Sequence, residues 1–286
     1  MGASPSFLKV YTYNVLAPVF VRPEYYPGVS PSLFDAASRL MMVRNTITTL
    51  ALEPDTDVIC LQEVQEDWIV PLVAAAGVEY MAQWVPHDAS HWSSYYTAEY
   101  PYVPNGNLTL IRSSSTASGV SWDTIVTSTG ARFPKASFRI ANSGRAVSIY
   151  NVHFDSDVGG NRKKELEVVV MDAVPEGIAV NAIPVIVGDW NCDLDVSNIQ
   201  NVLRKSKLRD LIAELGPKTE THPFTSKYND NPLFRCIDNF AGSARVTASS
   251  SVVFNIDAPT EAARVSANFS AVGSDHYICR AILKIQ

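Results

Sequence analysis

The sequence has no apolar run close to the ~20 residues that cross a bilayer, and its first residues lack the charged and apolar regions of a signal peptide. Its 23 Lys and Arg are outnumbered by 29 Asp and Glu, so no overall positive field draws the chain to nucleic acid. The four cysteines form no Cys-x-x-Cys pair and lie mostly in apolar segments, as reduced core residues do. We therefore expect an intracellular protein, cytoplasmic or nuclear and not secreted, without a membrane span.

Strand-like and helix-like segments alternate along the chain without a linker, repeat or block of charge between them. Apolar and β-branched runs predict strands at 7–15, 57–64, several between 106 and 154, 183–188, strands between 234 and 256, and 277–285. Helical spacing predicts helices at 38–52, at 67–76, around Leu166 to Ala173, and at 198–216. This order favours one α/β domain built on two packed sheets.

Polar residues capable of metal binding or acid–base chemistry occur where predicted strands begin or end. They are Asn14, Glu63, His153, Asp189, Asn191, Asp238, Asp275 and His276. Loops diverge above a rigid base at strand ends in layered α/β folds, so ligand chemistry collects there. Asp189 and Asn191 are two residues apart, which places both side chains on one face of an extended segment. A single such residue indicates a turn or a helix cap, whereas this set indicates a site.

Seven segments carry a family resemblance. They are "TYNVLAP", "DVICLQEV", "NGNLTLIR", "IYNVHFDS", "VIVGDWNCDL", "RCIDNF" and "GSDHYICRAI". In this order they resemble the successive motifs of the endonuclease/exonuclease/phosphatase superfamily, and the first is most similar to the deadenylase and nocturnin-like branch. The resemblance implies a four-layered sandwich of two mixed β-sheets packed face to face and flanked by helices. It also implies one domain over residues 1–286 and magnesium-dependent hydrolysis of phosphoester bonds.

A metal site is predicted from the carboxylates. Mg²⁺ takes one or two carboxylates together with neutral oxygens and waters, and it neutralises the phosphate and the leaving oxygen. We predict that Glu63 binds Mg²⁺ or Mn²⁺, with Asn14 as a neutral oxygen and Asp275 bound directly or through water. Asp189 would orient or deprotonate the attacking water, or bind a second metal.

The remaining site residues are predicted to act on the phosphate. Asn191 would donate a hydrogen bond to it, and His276 would serve as a base or as a phosphate contact. The resemblance implies that Asp238 stands behind His276 and that His153 contacts the same phosphate. Three histidines match no motif and are expected in surface or loop positions: His87, His91 and His222.

Two features bear on the substrate. The helix start at 162–164 is basic and forms either a solvated face or a phosphate clamp, in which Arg162 would be the main contact. Residues 80–102 hold seven aromatic residues, some of which could stack bases of a single strand. Asn107 and Arg132 complete the predicted substrate contacts. Asn239, where the family often has an aromatic residue, is also expected on the substrate side.

We favour a Mg²⁺-dependent phosphodiesterase, a nuclease that hydrolyses single-stranded RNA in the 3′-to-5′ direction. One alternative is a phosphatase acting on a nucleotide, dinucleotide or inositol phosphate, because the same site accepts monoesters. Another is an endonuclease or phosphodiesterase of the DNA-repair type. A non-catalytic binding module is disfavoured, since such a protein has no reason to keep the whole set of acids and histidines. We expect a monomer and predict no particular protein partner.

Overall fold

The computed structural model describes residues 6–113, 117–156, 160–175, 182–215, 220–222, 236–254, 256 and 258–286. Its strands, numbered in chain order, are β1 Ser6–Asn14, β2 Thr56–Gln65, β3 Tyr80–Pro86, β4 Asn105–Arg112, β5 Ala117–Val126, β6 Arg132–Ile140, β7 Ala146–His153, β8 Ile183–Asp189, β9 Leu208–Asp210, β10 Asp238–Ser243, β11 Val246–Phe254 and β12 Ile278–Ile285. The first sheet has the order β11-β12-β1-β2-β4-β3, and the second has the order β5-β6-β7-β8-β10-β9. Both sheets are mixed, because β1 runs parallel to β2 and β7 runs parallel to β8.

Helices cover the outer face of each sheet. They are α1 Ala36–Leu52, α2 Ile69–Ala76, α3 Asn161–Ala173, α4 Ser197–Lys205 and α5 Glu261–Val272. α1 and α2 pack on the first sheet through residues such as Val43 and Leu72, and α3 and α4 pack on the second through Leu166 and Val202. Together with the apolar core between the sheets, this gives the predicted four-layered sandwich, which is therefore confirmed.

Side-chain alternation along the strands explains where the core ends. In β1, Leu8 and Val10 belong to the core between the sheets, whereas Tyr11 and Tyr13 pack under the helices, as the two-residue period of a strand requires. Continued toward one end of the sandwich, the inward-facing positions become polar. Those positions are Thr12 and Asn14 in β1, Gln62 in β2, Asn107 and Thr109 in β4, Asn151 and His153 in β7, Asp189 in β8, and Asp238 in β10. The candidate site lies at this end.

The helix predicted at 198–216 is wrong in its second half. α4 ends at Lys205, and Lys207 then adopts a left-handed backbone conformation with φ of 57°. The chain turns there, so that β9 can pair with β10 and bury Leu208. The helical spacing of the apolar residues was outweighed by this edge pairing, which a local pattern does not contain.

α5 is a helix that the sequence analysis did not predict. Its start and end carry standard signals, since the Thr260 hydroxyl accepts a hydrogen bond from Ala263 N–H and Gly273 closes the helix at a φ of 83°. The predicted strands between 234 and 256 correspond to β10 and β11, while residues 234, 235 and 255 lie outside the described residues. Among the described residues, no helix is both long and apolar enough to span a bilayer.

Candidate active site

The candidate active site lies at the polar end of the interface between the two sheets. The first sheet and the loops at its strand ends supply Asn14, Glu63, Asp275 and His276. The second sheet and its loops supply His153, Asp189, Asn191 and Asp238. Each of these predicted residues therefore arrives at one place, although they are spread over most of the chain.

Glu63 occupies an irregular position in β2. Its φ is 59°, a left-handed conformation that is strained for residues other than glycine, and the register of β2 against β4 shifts just after Leu61. Strict alternation would turn Glu63 toward the helices, as it does Ile59 and Leu61. The shift instead brings Oε1 within 2.8 Å of Asn14 Nδ2 and Oε2 within 2.9 Å of Ala17 N–H, which both donate to it.

Asn14 joins carboxylates from the two sheets. Its amide Nδ2 donates to Glu63 Oε1 and, at 2.9 Å, to Asp189 Oδ2. Its Oδ1 accepts a hydrogen bond from Leu16 N–H at 2.9 Å. For Asn14 Oδ1 to bind a metal as predicted, the side-chain amide would thus have to flip. In the present arrangement Asn14 positions the two carboxylates instead.

His276 lies between two carboxylates. Its Nδ1 is 3.1 Å from Asp238 Oδ2, and its Nε2 is 3.7 Å from Asp189 Oδ2. The antiparallel register of β8 and β10 places Asp238 directly opposite Asp189. Burial alone would lower the pKa of His276, but the surrounding carboxylates, Asp238 first, outweigh it and raise the pKa to about 10. The imidazole is therefore held as a cation with Nε2 directed toward Asp189.

Asn191 and His153 complete the second sheet's side of the site. Asn191 N–H donates to Asp189 Oδ1 at 2.8 Å, and Asn191 Nδ2 donates to the carbonyl oxygen of Phe154 at 2.8 Å. His153 Nε2 lies 3.5 Å from Asp189 Oδ2 and 3.8 Å from Glu63 Oε1. Burial lowers the pKa of His153 well below its usual value, so this imidazole is neutral.

Asp275 is surrounded by hydrogen-bond donors. Tyr26 OH donates to Asp275 Oδ2 at 2.7 Å, and His222 Nε2 lies 3.1 Å from the same oxygen. Burial would raise the pKa of Asp275, but the hydrogen bonds and charge of His222 and the nearby His276 hold it well below its usual value. Ser274 Oγ, which donates to the carbonyl oxygen of Asn14 at 2.7 Å, ties this turn to the end of β1.

The three unmatched histidines lie in loops, as one of the two expectations stated, but His87 and His91 are not at the surface. His87 and His91 are buried beside the site. Trp92 packs between these two histidines and His153, with ring-centroid distances of 4.1 Å to His91 and 4.5 Å to His153. His222 contacts Asp275 and, at a centroid distance of 4.6 Å, His276. No motif marked them, and the aromatic residues around "PHDASHW" were the available signal.

Two of the predicted substrate-side positions are buried. Asn107 is 0% exposed, and its Nδ2 donates to the carbonyl oxygen of Asn151 across the two sheets. Asn239 follows Asp238 and therefore points the opposite way, where its Nδ2 donates to the carbonyl oxygens of Cys192 and Cys236. The expectation that Asn239 lines the substrate side is wrong, whereas a substrate contact by Asn107 stays a prediction.

The two predicted arginine contacts differ in access. Arg132 has a side chain that is 39% exposed and forms an ion pair with Asp88 at 3.1 Å, so its guanidinium is accessible to solvent. Arg162 is buried, and its guanidinium donates to the carbonyl oxygens of Asp155 and Ser156 at 2.9 and 3.0 Å. Arg162 thus shapes the loop after β7, and a contact of either arginine with phosphate stays a prediction.

The donor set fits a divalent cation. Burial raises the pKa of Glu63 to about 7 and that of Asp189 to about 6, against the hydrogen bonds that Asn14 gives to both. The cationic His276 compensates only one of these charges, and a bound divalent cation would stabilise both carboxylates. Within the described residues, Asp189, Asp238 and His276 form one group with ligand atoms within 4.8 Å of one another, and Asp275 belongs to a second.

The sequence model described as the Endonuclease/Exonuclease/phosphatase family matches residues 11–276. No curated protein sequence matches the chain.

Solved structures with similar folds cover nearly the whole chain. D. rerio TDP2 complexed with a single-strand DNA product shares 19% identity over 97% of this chain and 99% of that one, with a TM-score of 0.63. The human nocturnin catalytic domain with bound sulfate shares 14% identity over 99% and 98%, with a TM-score of 0.67. ANGEL2, a 2′,3′-cyclic phosphatase in complex with adenosine-2′,3′-vanadate, shares 14% identity over 98% and 96%, with a TM-score of 0.67. At these identities the likeness establishes the fold.

Proposed function

Because the chain belongs to the endonuclease/exonuclease/phosphatase family, whose members are metal-dependent phosphoester hydrolases, we propose that it is a magnesium-dependent phosphodiesterase that degrades single-stranded RNA from the 3′ end. The proposal treats residues 1–286 as one catalytic domain. Its support is that both sheets contribute to one apolar core and to one site.

The observation that carries the choice of a polynucleotide is an aromatic rim beside the site, formed by Phe20, Trp92, Tyr95 and Tyr96. Trp92 packs on His153 of the site. Phe20 contacts the other three rings, with centroid distances of 5.5 Å to Trp92, 6.4 Å to Tyr95 and 6.0 Å to Tyr96. The rim is therefore continuous from the site outward.

Tyr95 is the ring of the aromatic rim best placed to meet a base. Tyr95 is 38% exposed, and its hydroxyl lies 3.0 Å from Ser156 Oγ in the loop after β7. Arg22 stacks on Tyr100 and donates to the carbonyl oxygen of Tyr95 at 3.0 Å, which anchors the segment. Stacking of a base on such a ring contributes ~1–3 kcal/mol and tolerates any sequence. A single strand with unstacked bases fits this surface better than a duplex does.

The chain's own residues account for the chemistry of hydrolysis. When bound, a divalent cation would be held by Glu63 and Asp275 and would neutralise charge on the phosphate and the leaving oxygen. Asp189, whose Oδ2 lies 3.5 Å from His153 Nε2, would orient the attacking water and accept its proton. His276 would donate from Nε2 to a phosphate oxygen while Asp238 holds Nδ1.

The proposal is tested with purified protein, Mg²⁺ and a substrate panel. The panel holds 5′-labelled single-stranded RNA, the matching DNA strand, duplex DNA, RNA ending in a 2′,3′-cyclic phosphate, a dinucleotide and an inositol phosphate. We expect a ladder of RNA products shortened one nucleotide at a time from the 3′ end, absent with Asp189→Asn. Faster turnover of the dinucleotide, cyclic phosphate or inositol phosphate would replace the nuclease by a phosphatase, and internal cleavage of duplex DNA would replace it by a repair-type endonuclease.

A further inference from the structure

A second cluster of ligating side chains borders the site and includes His222, which lies outside the seven family-like segments. One nitrogen of His222, one nitrogen of His276 and one oxygen of Asp275 lie within 4.8 Å of one another. The closest pair is His222 Nε2 and Asp275 Oδ2 at 3.1 Å. The two imidazole rings are 4.6 Å apart between centroids and nearly perpendicular, at 69°.

The backbone around His222 is fixed to both strands that carry the site. The hydroxyl of Thr221 accepts hydrogen bonds from the N–H groups of Ile237 and Asp238 at 2.9 and 3.0 Å. The carbonyl oxygen of Thr221 accepts from Tyr277 N–H at 2.9 Å. His222 is therefore presented to Asp275 and His276 by a tethered segment, and its position beside them is part of the fold.

Two of the three ligands also have the supporting partners that metal-binding side chains usually have. Asp238 accepts at His276 Nδ1, so Nε2 becomes the ligating nitrogen once zinc binding displaces its proton to solvent, and Tyr26 OH donates to Asp275. A carboxylate behind a histidine fixes its tautomer and increases its basicity as a ligand. Such an arrangement stabilises metal binding by the other ring nitrogen.

The ligand types select one class of cation. Mg²⁺ prefers oxygen ligands and octahedral geometry, whereas imidazole nitrogen suits Zn²⁺ and its first-row neighbours. A tetrahedral Zn²⁺ places its ligand atoms about 3.3 Å apart, so the cluster needs to contract by at most about 1.5 Å to close around it. The two-histidine, one-carboxylate set also leaves a fourth position for water.

We propose that His222, Asp275 and His276 bind a borderline divalent cation such as Zn²⁺, and that its binding withdraws His276 from phosphoester hydrolysis. The cluster shares Asp275 with the predicted magnesium site, so the two cations compete for that carboxylate. Zn²⁺ then inhibits the magnesium-supported enzyme by binding a site that overlaps the predicted magnesium site at Asp275. This inference holds whichever phosphoester is the substrate.

Binding is measured without substrate, on protein freed of metal by chelation and dialysis. Zn²⁺ is titrated in competition with a chromophoric chelator, in the presence of excess Mg²⁺. We expect one tightly bound Zn²⁺ in the wild type and a loss of affinity of roughly 10- to 100-fold or more in His222→Gln. The matched control is His91→Gln, a buried histidine outside the cluster, which should bind Zn²⁺ as the wild type does.

Two further readouts decide the outcome. The midpoint of Zn²⁺ inhibition of the Mg²⁺-supported reaction should shift in His222→Gln by the same factor as the affinity. Co²⁺ bound to the wild type should show the intense visible absorption of a four-coordinate site with nitrogen ligands, which settles the ligand class even if His222→Gln fails to fold. Equal Zn²⁺ affinity in wild type and His222→Gln, or a weak six-coordinate Co²⁺ spectrum, would overturn the proposal.

Discussion

Replacing Glu165 by Gln should change how stability depends on pH. Glu165 lies on α3 and is 0% exposed. Its Oε1 accepts from Thr129 Oγ1 at 2.5 Å and its Oε2 accepts from Asp155 N–H at 2.8 Å. Burial raises the pKa of Glu165 to about 7, and burial lowers the pKa of the neighbouring His91 to about 4. Between those values both groups are neutral, so their 4.0 Å contact is no ion pair.

The magnitude follows from the two states of the chain. An unfolded glutamate releases its proton near pH 4.5, whereas folded Glu165 keeps it to about pH 7. Between these values the folded state binds more protons, so the free energy of unfolding falls as pH rises. At about 1.36 kcal/mol per pH unit, the loss at pH 8 relative to pH 4 reaches about 3 kcal/mol. The Glu165→Gln variant has no carboxyl group to titrate at this position, so its free energy of unfolding does not fall for this reason.

Urea unfolding of both proteins at several pH values between 4 and 8 measures the effect. We expect the difference in unfolding free energy to shift in favour of Glu165→Gln by up to about 3 kcal/mol across that range. Glu63 and Asp189 titrate alike in both proteins, so only the difference is informative. Glu167→Gln, a half-exposed position on the same helix, is the matched control and should run parallel to the wild type. A constant offset of Glu165→Gln at every pH would refute the reasoning.

Activity should vanish in excess EDTA and return with Mg²⁺ or Mn²⁺, which metal-replacement assays check. His276→Ala and Asp238→Asn should each lower kcat by about 10³-fold or more, and the double variant should lose little further activity, because the two act as one unit; multiplicative losses in steady-state kinetics would separate them. Tyr95→Ala should raise KM for an oligonucleotide by about 10-fold, within the range of ~1–3 kcal/mol per stacked base, and an oligonucleotide with abasic 3′ residues should show no such change. If Lys164 contacts one phosphate, Lys164→Ala should make the slope of log activity against log salt concentration shallower by about 0.7. Arg162→Ala removes the hydrogen bonds to two loop carbonyl oxygens, so it should lower turnover of short and long substrates alike.

Residues at regular strand ends could be predicted from the sequence because alternation and motif agree there. Asp189 and Asp238 continue inward-facing rows of Val and Phe side chains. Glu63 was found through its motif, but the left-handed backbone that turns it to the site breaks the strand pattern and could not be predicted from it. His222 escaped notice because its neighbours Asp275 and His276 come from more than fifty residues further along the chain.

Local patterns failed where a distant pairing decided the outcome. The segment after Lys205 has helical spacing, yet Leu208 is held in an edge strand by hydrogen bonds to β10. In contrast, α5 has a Thr cap and a closing Gly that the sequence already displayed. A correct prediction of β9 needs knowledge of the fold, whereas α5 could have been predicted from its helix-end signals alone.

The division of the site between two sheets has a consequence for the order of events in folding. Asn14 bonds to Asp189, Gln62 to Asn151 and His276 to Asp238, each time across the seam between the sheets. Neither sheet alone holds a complete set of catalytic groups. During refolding, secondary structure can therefore form well before any turnover is possible. The return of enzyme activity then reports the time at which the two sheets pack against each other.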